Sequence, residues 1–261
     1  MKHLVGVIHL PALPGSPKST LSAAECARSA AEDAKALAAA GFDAIVVENF
    51  GDAPFFATKV PAITVAAMTA CAIAVRDAAS SKTLGINVLR NDAESALAIA
   101  VASGASFVRI NVHIGARVTD QGVIQGDAAN TLRLRKALGA DGVAIWGDVD
   151  VKHSAPLGPP RPLEQEVEDL TKRGGAEVVL VTGEGTGKGV DLAKLEKVKR
   201  ASGKAPVLVA SGATIDSLPS LAKVSDGVIV GTALRQGYVP GGPIDGDLAK
   251  QFASAFRAAF G

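Results

Sequence analysis

Hydrophobic positions along the chain follow two alternating patterns. Short runs of β-branched and aliphatic residues, typical of buried strands, alternate with Ala-rich stretches of helical length. The strands predicted in this way are Leu4–His9, Ala44–Glu48, Leu84–Leu89, Phe107–Val112, Val143–Val149, Glu177–Thr182, Pro206–Ala210 and Gly227–Gly231. The predicted helices are 22–40, 60–80, 92–103, 128–138, 163–173, 191–201, 215–223 and 246–260. This alternation predicts a parallel sheet, because each parallel connection needs a crossover helix.

The number of units favours a closed (β/α)8 TIM barrel over the main alternative, a doubly wound open sheet. Divided among eight units, the 261 residues give about 33 residues per βα unit, which suits such a barrel. The sequence has no linker or low-complexity segment between units, so we predict a single domain over residues 1–261. In a barrel of this kind the active site lies at the C-terminal ends of the strands.

The twofold period of a strand predicts which polar side chains point into the barrel. In the fourth strand, for example, Val108 and Ile110 share the helix-facing side. The polar residues expected inside the barrel or at its mouth are His9, Glu48, Asn87, Arg109, Asn111, His113, Asp148, Asp150 and Lys152. Burying so many polar groups is costly unless they are paired. They therefore form either a functional site or a self-neutralised layer, in which Arg109 and Lys152 pair with the carboxylates.

The last three predicted strands end in small residues, which indicates anion binding. Glycine lets the backbone approach an anion closely, and a helix N-terminus supplies free N–H groups. Phosphate sites in barrels often use the loops after the seventh and eighth strands. The predicted phosphate-binding residues are Gly183, Gly185, Ser211, Gly212, Gly231 and Thr232. The structural alternative is that these glycines only make tight turns.

Composition and charge indicate which classes of partner and which cellular compartment suit the protein. Lys and Arg total 27 against 26 Asp and Glu, and aromatic residues are 4%, which argues against a nucleic-acid partner. Cys26 and Cys71 lie in helical stretches without metal-ligand spacing, which indicates reduced thiols and a cytoplasmic location. The N-terminus lacks a signal-peptide layout, and the most apolar stretch, 60–75, is too short to span a bilayer. We therefore expect no transmembrane segment.

Several short strings occur in order over nearly the whole chain and are rare elsewhere. They are Val7–Pro11, Leu13–Pro17, Glu48–Pro54, Asn87–Asp92, Arg109–His113, Thr119–Gly122 and Asp148–His153. Together they resemble the BtpA/SgcQ family. The resemblance implies a TIM barrel of the ribulose-phosphate-binding kind. The family takes its name from photosystem I biogenesis, but its members also fit beside sugar-transport and sugar-phosphate genes in non-photosynthetic organisms, and no settled reaction comes with the name.

Two functional hypotheses follow. The first is an enzyme that binds a phosphorylated small molecule, above all a sugar phosphate, for isomerase, epimerase or aldol-lyase chemistry. Glu48 and Asp148 would be general base and acid, and Lys152 would stabilise an enolate or form a Schiff base. His9 and His113 are further catalytic candidates, and the predicted substrate-binding residues are Asn49, Asn87, Asn111, Asp120 and His153. The second hypothesis, suggested by the family name, is a non-catalytic photosystem I assembly or stability factor.

The sequence leaves a metal and an oligomer open. No cofactor is identified, but Asp148, Asp150 and one of the histidines would be reasonable ligands for a divalent metal. Lys152 on the same strand face would repel such a cation. Helix 60–80 has apolar residues on several faces, which favours a homo-oligomer interface. The alternative is that helix 246–260 or a loop such as Phe50–Phe56 covers it.

Overall fold

Eight parallel strands close into a barrel. The computed structural model describes residues 2–183 and 189–261. Its strands are β1 (His3–His9), β2 (Ala44–Glu48), β3 (Thr83–Asn87), β4 (Phe107–Ile110), β5 (Ala116–Thr119), β6 (Gly122–Gln125), β7 (Ala144–Val149), β8 (Ala155–Pro156), β9 (Val178–Val181), β10 (Val207–Val209) and β11 (Gly227–Val230). The barrel runs β1-β2-β3-β4-β7-β9-β10-β11, and β11 pairs with β1 to close it. The predicted (β/α)8 barrel is confirmed, and the open-sheet alternative is wrong.

Helices follow the barrel strands and pack around them. They are α1 (Ala23–Ala39), α2 (Ala62–Ala78), α3 (Ala93–Ser103), α4 (Ala128–Ala137), α5 (Leu163–Glu168), α6 (Leu192–Ala201), α7 (Leu218–Leu221) and α8 (Gly246–Phe260). The starting points follow from local chemistry. Ser22 and Glu25 form a capping box at α1, and the carboxylates of Asp92 and Asp245 accept backbone N–H groups at the starts of α3 and α8.

Alternate strand positions fill the barrel interior with apolar side chains. The interior cluster is Val5, Val7, Ala44, Val46, Phe107, Trp146, Val178, Leu180, Leu208, Ala210 and Ile229. The rings of Phe107 and Trp146 stack with their centroids 3.7 Å apart. Arg109 and Asp148 lie two residues further along the same strands, so their side chains also point inward, above the apolar layer. Val108 has the opposite parity and belongs to the outer core beneath the helices.

A small antiparallel sheet stands beside the barrel mouth. Strands β5 and β6 form a hairpin between β4 and α4, and β8, in the connection after β7, pairs with β5. The turn of the hairpin lies between Thr119 and Gly122. The sequence pattern did not predict this sheet, because its strands are only two to four residues long. The sheet brings residues from the hairpin turn to the C-terminal ends of the barrel strands.

One apolar face of α2 is covered within the chain, while Ile63, Ala66 and Ala70 stay exposed. Its side chains Ala67, Met68, Cys71 and Ala72 are buried, and the helix packs against α1 and α3. These neighbours explain the apolar composition that suggested an interface, and the homo-oligomer stays a prediction. Among the residues that the structure describes, no helix combines the length and the apolar character needed to cross a membrane.

Candidate functional site

Two cavities open at the C-terminal ends of the barrel strands. The first cavity, about 580 Å³, lies against the ends of β1, β10 and β11. The second cavity, about 420 Å³, lies under the β5–β6 hairpin. Glu48, Phe50, Arg109 and Lys152 line both cavities, and we call these four residues the shared wall. One elongated ligand could therefore occupy both cavities and pass the charged groups of the shared wall.

The loops after β10 and β11 line the first cavity with small and hydroxyl residues. Ser211 and Gly212 follow β10, and Gly231 and Thr232 follow β11. Gly212 has a φ of 78°, which an L side chain adopts only with strain. A Cβ on Gly231 would lie 3.2 Å from the ring of His9, so this loop approaches the histidine more closely than a larger residue allows. The structure thus brings four of the predicted phosphate-binding residues to one cavity.

A buried ion pair organises the shared wall. The Nε of Arg109 donates to one carboxylate oxygen of Asp148 at 2.9 Å, and its second terminal nitrogen donates to the other oxygen at 2.8 Å. Glu48 lies 3.9 Å from the same guanidinium. The Asp148 side chain is fully buried and does not line either cavity. Its geometry suits a partner that fixes Arg109 better than the general acid expected from the sequence.

Lys152 joins the two cavities. Its Nζ lies 3.4 Å from the Oγ of Ser211, and its backbone N–H donates to the Oγ1 of Thr182 at 2.8 Å. In residues 2–183 and 189–261, no carboxylate lies within 4 Å of its ammonium group. Burial lowers the pKa of Lys152, and the nearby charge of Arg109 lowers it further. A lysine of this kind can neutralise a bound anion or act as a nucleophile.

His9 is held as a neutral imidazole at the edge of the first cavity. Its ring stacks on Phe50 with the centroids 4.3 Å apart, and its Nδ1 accepts the backbone N–H of Gly241 at 3.2 Å. Because Nδ1 accepts, the proton of the neutral ring lies on Nε2. Burial lowers the pKa of His9 well below its usual value, and the charges of Arg235 and Lys152 add to this effect. His9 is thus suited to donate a hydrogen bond from Nε2.

The second cavity collects three of the residues predicted to bind substrate. Asn111, Asp120 and His153 line it, and Asn87 lies behind Asn111, donating from its Nδ2 to the Asn111 Oδ1 at 3.1 Å. Sequence reasoning missed Arg90, which also lines this cavity. The residue lies in the Asn87–Asp92 string, beyond the end of β3, where strand parity gives no direction for its side chain.

Arg235 is a second residue that sequence reasoning missed. It is 1% exposed, and its guanidinium donates to the carbonyl oxygens of Val7 and Gly231 at 3.1 and 2.5 Å and of Gly242 at 2.6 Å. These bonds tie the loop after β11 to β1. Its signal in the sequence was weak, because Arg235 follows a short 3-10 turn in no regular strand or helix pattern.

Other predicted site residues lie away from the cavities. His113 places Nε2 at 2.8 Å from the carbonyl oxygen of Gly174, and Asn49 accepts the backbone N–H of Leu89 at 2.7 Å. Asp150 pairs with Arg117 and Lys194. β4 ends at Ile110 and β7 at Val149, so strand alternation does not extend to His113 and Asp150. The prediction that the side chains of His113 and Asp150 point into the barrel was wrong for that reason.

In the part of the chain that the structure describes, Gly183 and the predicted metal ligands do not come together at the two cavities. Gly183 is buried directly after β9, and Gly185 lies outside the described residues. No group of three or more His, Cys, Asp or Glu side chains that could hold a metal comes together in the described ranges. The carboxylates of Asp148 and Asp150 are bonded to cationic side chains instead, so the metal-ligand set suggested by the sequence is not assembled.

The fold and the mouth define a TIM barrel with a two-part cavity that has charged side chains between its parts. The chain belongs to the BtpA family, whose sequence profile matches residues 1–258. An uncharacterised protein of Thermococcus kodakarensis is 44% identical over 237 residues, covering 90% of this chain and 87% of the relative. The photosystem I biogenesis protein BtpA of Synechocystis is 43% identical over 233 residues, covering 89% and 80%. N-(5'-phosphoribosyl)anthranilate isomerase from Pyrococcus furiosus shares the fold, with a TM-score of 0.58, 16% identity and coverage of 98% and 99%.

Proposed function

We propose that the protein is an enzyme that binds a phosphorylated small molecule, a sugar phosphate, in the first cavity. The observation that carries the proposal is the position of Lys152, which reaches Ser211 at 3.4 Å from within the shared wall. This contact places a loop suited to phosphate binding next to the titratable side chains of the shared wall, which a reaction on the ligand would require. The fold neighbour whose name includes a 5'-phosphoribosyl group supports the same class of ligand.

In this proposal the loops of the first cavity hold the phosphate. Ser211 and Thr232 supply hydroxyl donors, while Gly212 and Gly231 let the backbone come close to the anion. Lys152 neutralises part of the negative charge. Since burial lowers its pKa, the lysine gains more from an anionic partner than an exposed lysine does.

The reaction class that fits the shared wall is proton transfer next to a carbonyl, as in isomerases, epimerases and aldol-type lyases. Glu48 lines both cavities and would remove or return the proton. Lys152 would stabilise the enolate that forms. Alternatively, its Nζ would form a Schiff base with the carbonyl carbon, and the carbonyl oxygen would leave as water. His9 would donate a hydrogen bond from Nε2 to an oxygen of the intermediate. Asp148 acts on this chemistry only through Arg109.

Binding and chemistry can be tested separately. Isothermal titration calorimetry should detect ribose 5-phosphate but not ribose, and the double variant Ser211→Ala/Thr232→Val should weaken binding at least about tenfold. Ser220→Ala, exposed in α7, is the matched control and should change nothing. Equal affinity for ribose and ribose 5-phosphate would contradict the phosphate site. Incorporation of solvent deuterium into ketose and aldose phosphates, followed by NMR, should disappear in Glu48→Gln.

A second candidate function is a non-catalytic assembly or stability factor for photosystem I, as the name of the Synechocystis relative suggests. The observation in its favour is a set of exposed apolar side chains on the loops around the mouth: Phe56, Leu157, Tyr238 and Val239 are 55–66% exposed. Replacing Phe56, Leu157 and Val239, which line neither cavity, with Ser should abolish an assembly role while leaving ribose 5-phosphate binding intact. The enzyme proposal predicts instead that the function of the protein depends on Glu48 and Lys152 and not on these exposed apolar side chains.

A further inference from the structure

Arg90 carries a buried positive charge that has few partners. The residue follows β3 and is 6% exposed. One terminal nitrogen donates to the backbone carbonyl oxygen of Lys152 at 2.8 Å. A guanidinium has five N–H donors. Within the part of the chain that the structure describes, this is the hydrogen bond the Arg90 side chain makes, and its Nε has no acceptor.

Among the described residues, the charge of Arg90 is also without a close carboxylate. Arg109, in the same cavity wall, is held by both oxygens of Asp148. No carboxylate of residues 2–183 or 189–261 lies within 4 Å of the Arg90 guanidinium. A buried cation of this kind is costly unless something pairs with it. The guanidinium lines the second cavity, so a ligand there can supply the missing partner.

Four further polar side chains in the wall of the second cavity suit hydroxyl groups. Asp120 and Gln121 enter from the hairpin turn, and Asn111 and His153 from the ends of β4 and β7. The Oε1 of Gln121 is buried and accepts no hydrogen bond from the described residues. Acceptors of this kind pair with the hydroxyl groups of a polyol chain.

We propose that the second cavity binds a carboxylate through Arg90, so that the substrate is a phosphorylated sugar acid. This inference rests on the proposed function, because it takes the phosphate end of the ligand to lie against Ser211 and Thr232. The carbon chain then passes Glu48 and Lys152 on its way to Arg90.

A carboxylate fits the charges of the second cavity better than a second phosphate. Planar guanidinium groups bind both anions through paired hydrogen bonds. Arg90, Arg109 and Lys152 line this cavity together with Glu48 and Asp120, which leaves an excess of one positive charge in the wall. A carboxylate carries about −1 charge and neutralises this excess, whereas a phosphate monoester carries about −1.5 to −2 charges at neutral pH and would leave negative charge unpaired beside Glu48 and Asp120.

Two ligands that differ only at one end test the proposal on the full chain. 6-Phosphogluconate has a carboxylate where sorbitol 6-phosphate has a CH2OH group. In calorimetric titrations the wild type should bind 6-phosphogluconate at least about tenfold more tightly, as one charge-assisted hydrogen bond suggests. Arg90→Gln should abolish this preference and change the affinity for sorbitol 6-phosphate less than about twofold.

Asp120→Asn keeps the test decisive if Arg90→Gln does not fold. Asp120 lies in a hairpin turn, so its replacement does not disturb the barrel. Removing its negative charge should raise the preference for 6-phosphogluconate by about two- to fivefold. Arg90→Lys, which keeps the charge but not the planar fork, should retain only part of the preference.

The outcomes separate this inference from the proposed function. If both phosphates bind equally and Ser211→Ala/Thr232→Val weakens both, the carboxylate site is wrong and the phosphate site stands. If neither phosphate depends on Ser211 and Thr232 while gluconate alone binds in an Arg90-dependent manner, the carboxylate site stands and the phosphate site is wrong. If 6-phosphogluconate, sorbitol 6-phosphate, gluconate and ribose 5-phosphate all fail to bind, both proposals are overturned.

Discussion

Replacing Arg109 with Met should destabilise the protein far more than replacing an exposed arginine. The two hydrogen bonds to Asp148 measure 2.8 and 2.9 Å, and the side chains of Arg109 and Asp148 are 5% and 0% exposed. Removing one partner of a buried pair leaves the other charge without compensation, at a cost of about 3–5 kcal/mol. At about 2–4 °C per kcal/mol for a chain of this size, the melting temperature should fall by about 6–20 °C.

Urea unfolding followed by circular dichroism measures this cost, and two further variants control it. Arg161→Met removes a salt bridge to Asp169 whose arginine is 49% exposed, and solvent screening should make it cost far less than Arg109→Met. The double variant Arg109→Met/Asp148→Leu removes both charges and should be more stable than Arg109→Met alone. Equal costs for Arg109→Met and Arg161→Met would show that the buried pair does not organise the shared wall.

Three further predictions concern the mouth. Gly212→Ala, at a φ of 78°, should destabilise by about 1–2 kcal/mol in urea unfolding, whereas Gly231→Ala should mainly weaken ribose 5-phosphate binding, because its Cβ would lie 3.2 Å from His9. Phosphate binding should weaken as pH rises through the lowered pKa of Lys152, because the lysine loses its charge. In the variant Lys152→Arg, calorimetry should find this loss of affinity at a higher pH, because arginine stays protonated. The pKa of His9 is lowered from 6.5, so the unfolded chain takes up a proton that the folded chain does not, and His9 should lower the stability below pH 6.5 by up to about 1.4 kcal/mol per pH unit. Burial also lowers the pKa of His3, His113 and His153, so His9→Asn should reduce the slope of stability between pH 6.5 and 5.5 without removing it, and an unchanged slope would contradict the assignment.

The barrel could be predicted from the sequence because its signal is repeated. Each barrel strand is a short, largely buried apolar run, and several helices begin at a capping residue, such as Ser22 or Asp92. The small sheet beside the mouth has neither property. β8 is two residues long and depends on its pairing with β5, a contact between distant parts of the chain that no local pattern reports.

Strand geometry accounts for only part of the predicted site. Arg109 lies within β4, and alternation gave its direction correctly, whereas the parity of Glu48 in β2 was less clear from the sequence. Lys152 lies beyond the end of β7 and still lines both cavities, but the alternation failed for another residue of the same segment. Asp150 lies beyond the end of β7 with a φ of 46°, and its side chain turns to Arg117 and Lys194. Beyond a strand end the direction of a side chain depends on loop conformation and on distant partners, which a single sequence does not encode as a period.

The partners of the three cations at the mouth decide which of them can respond to a ligand. Arg109 is bound to Asp148 through two hydrogen bonds. If Arg109 turned toward a ligand, the buried carboxylate of Asp148 would lose its charged partner. Lys152 and Arg90 have no carboxylate within 4 Å in the described part of the chain, and burial lowers the pKa of each. Anions should therefore stabilise the fold through Lys152 and Arg90, by about 2.7 kcal/mol at a hundred times Kd. The overall charge of +1 conceals this local excess, because the carboxylates that balance the chain lie mostly outside the mouth.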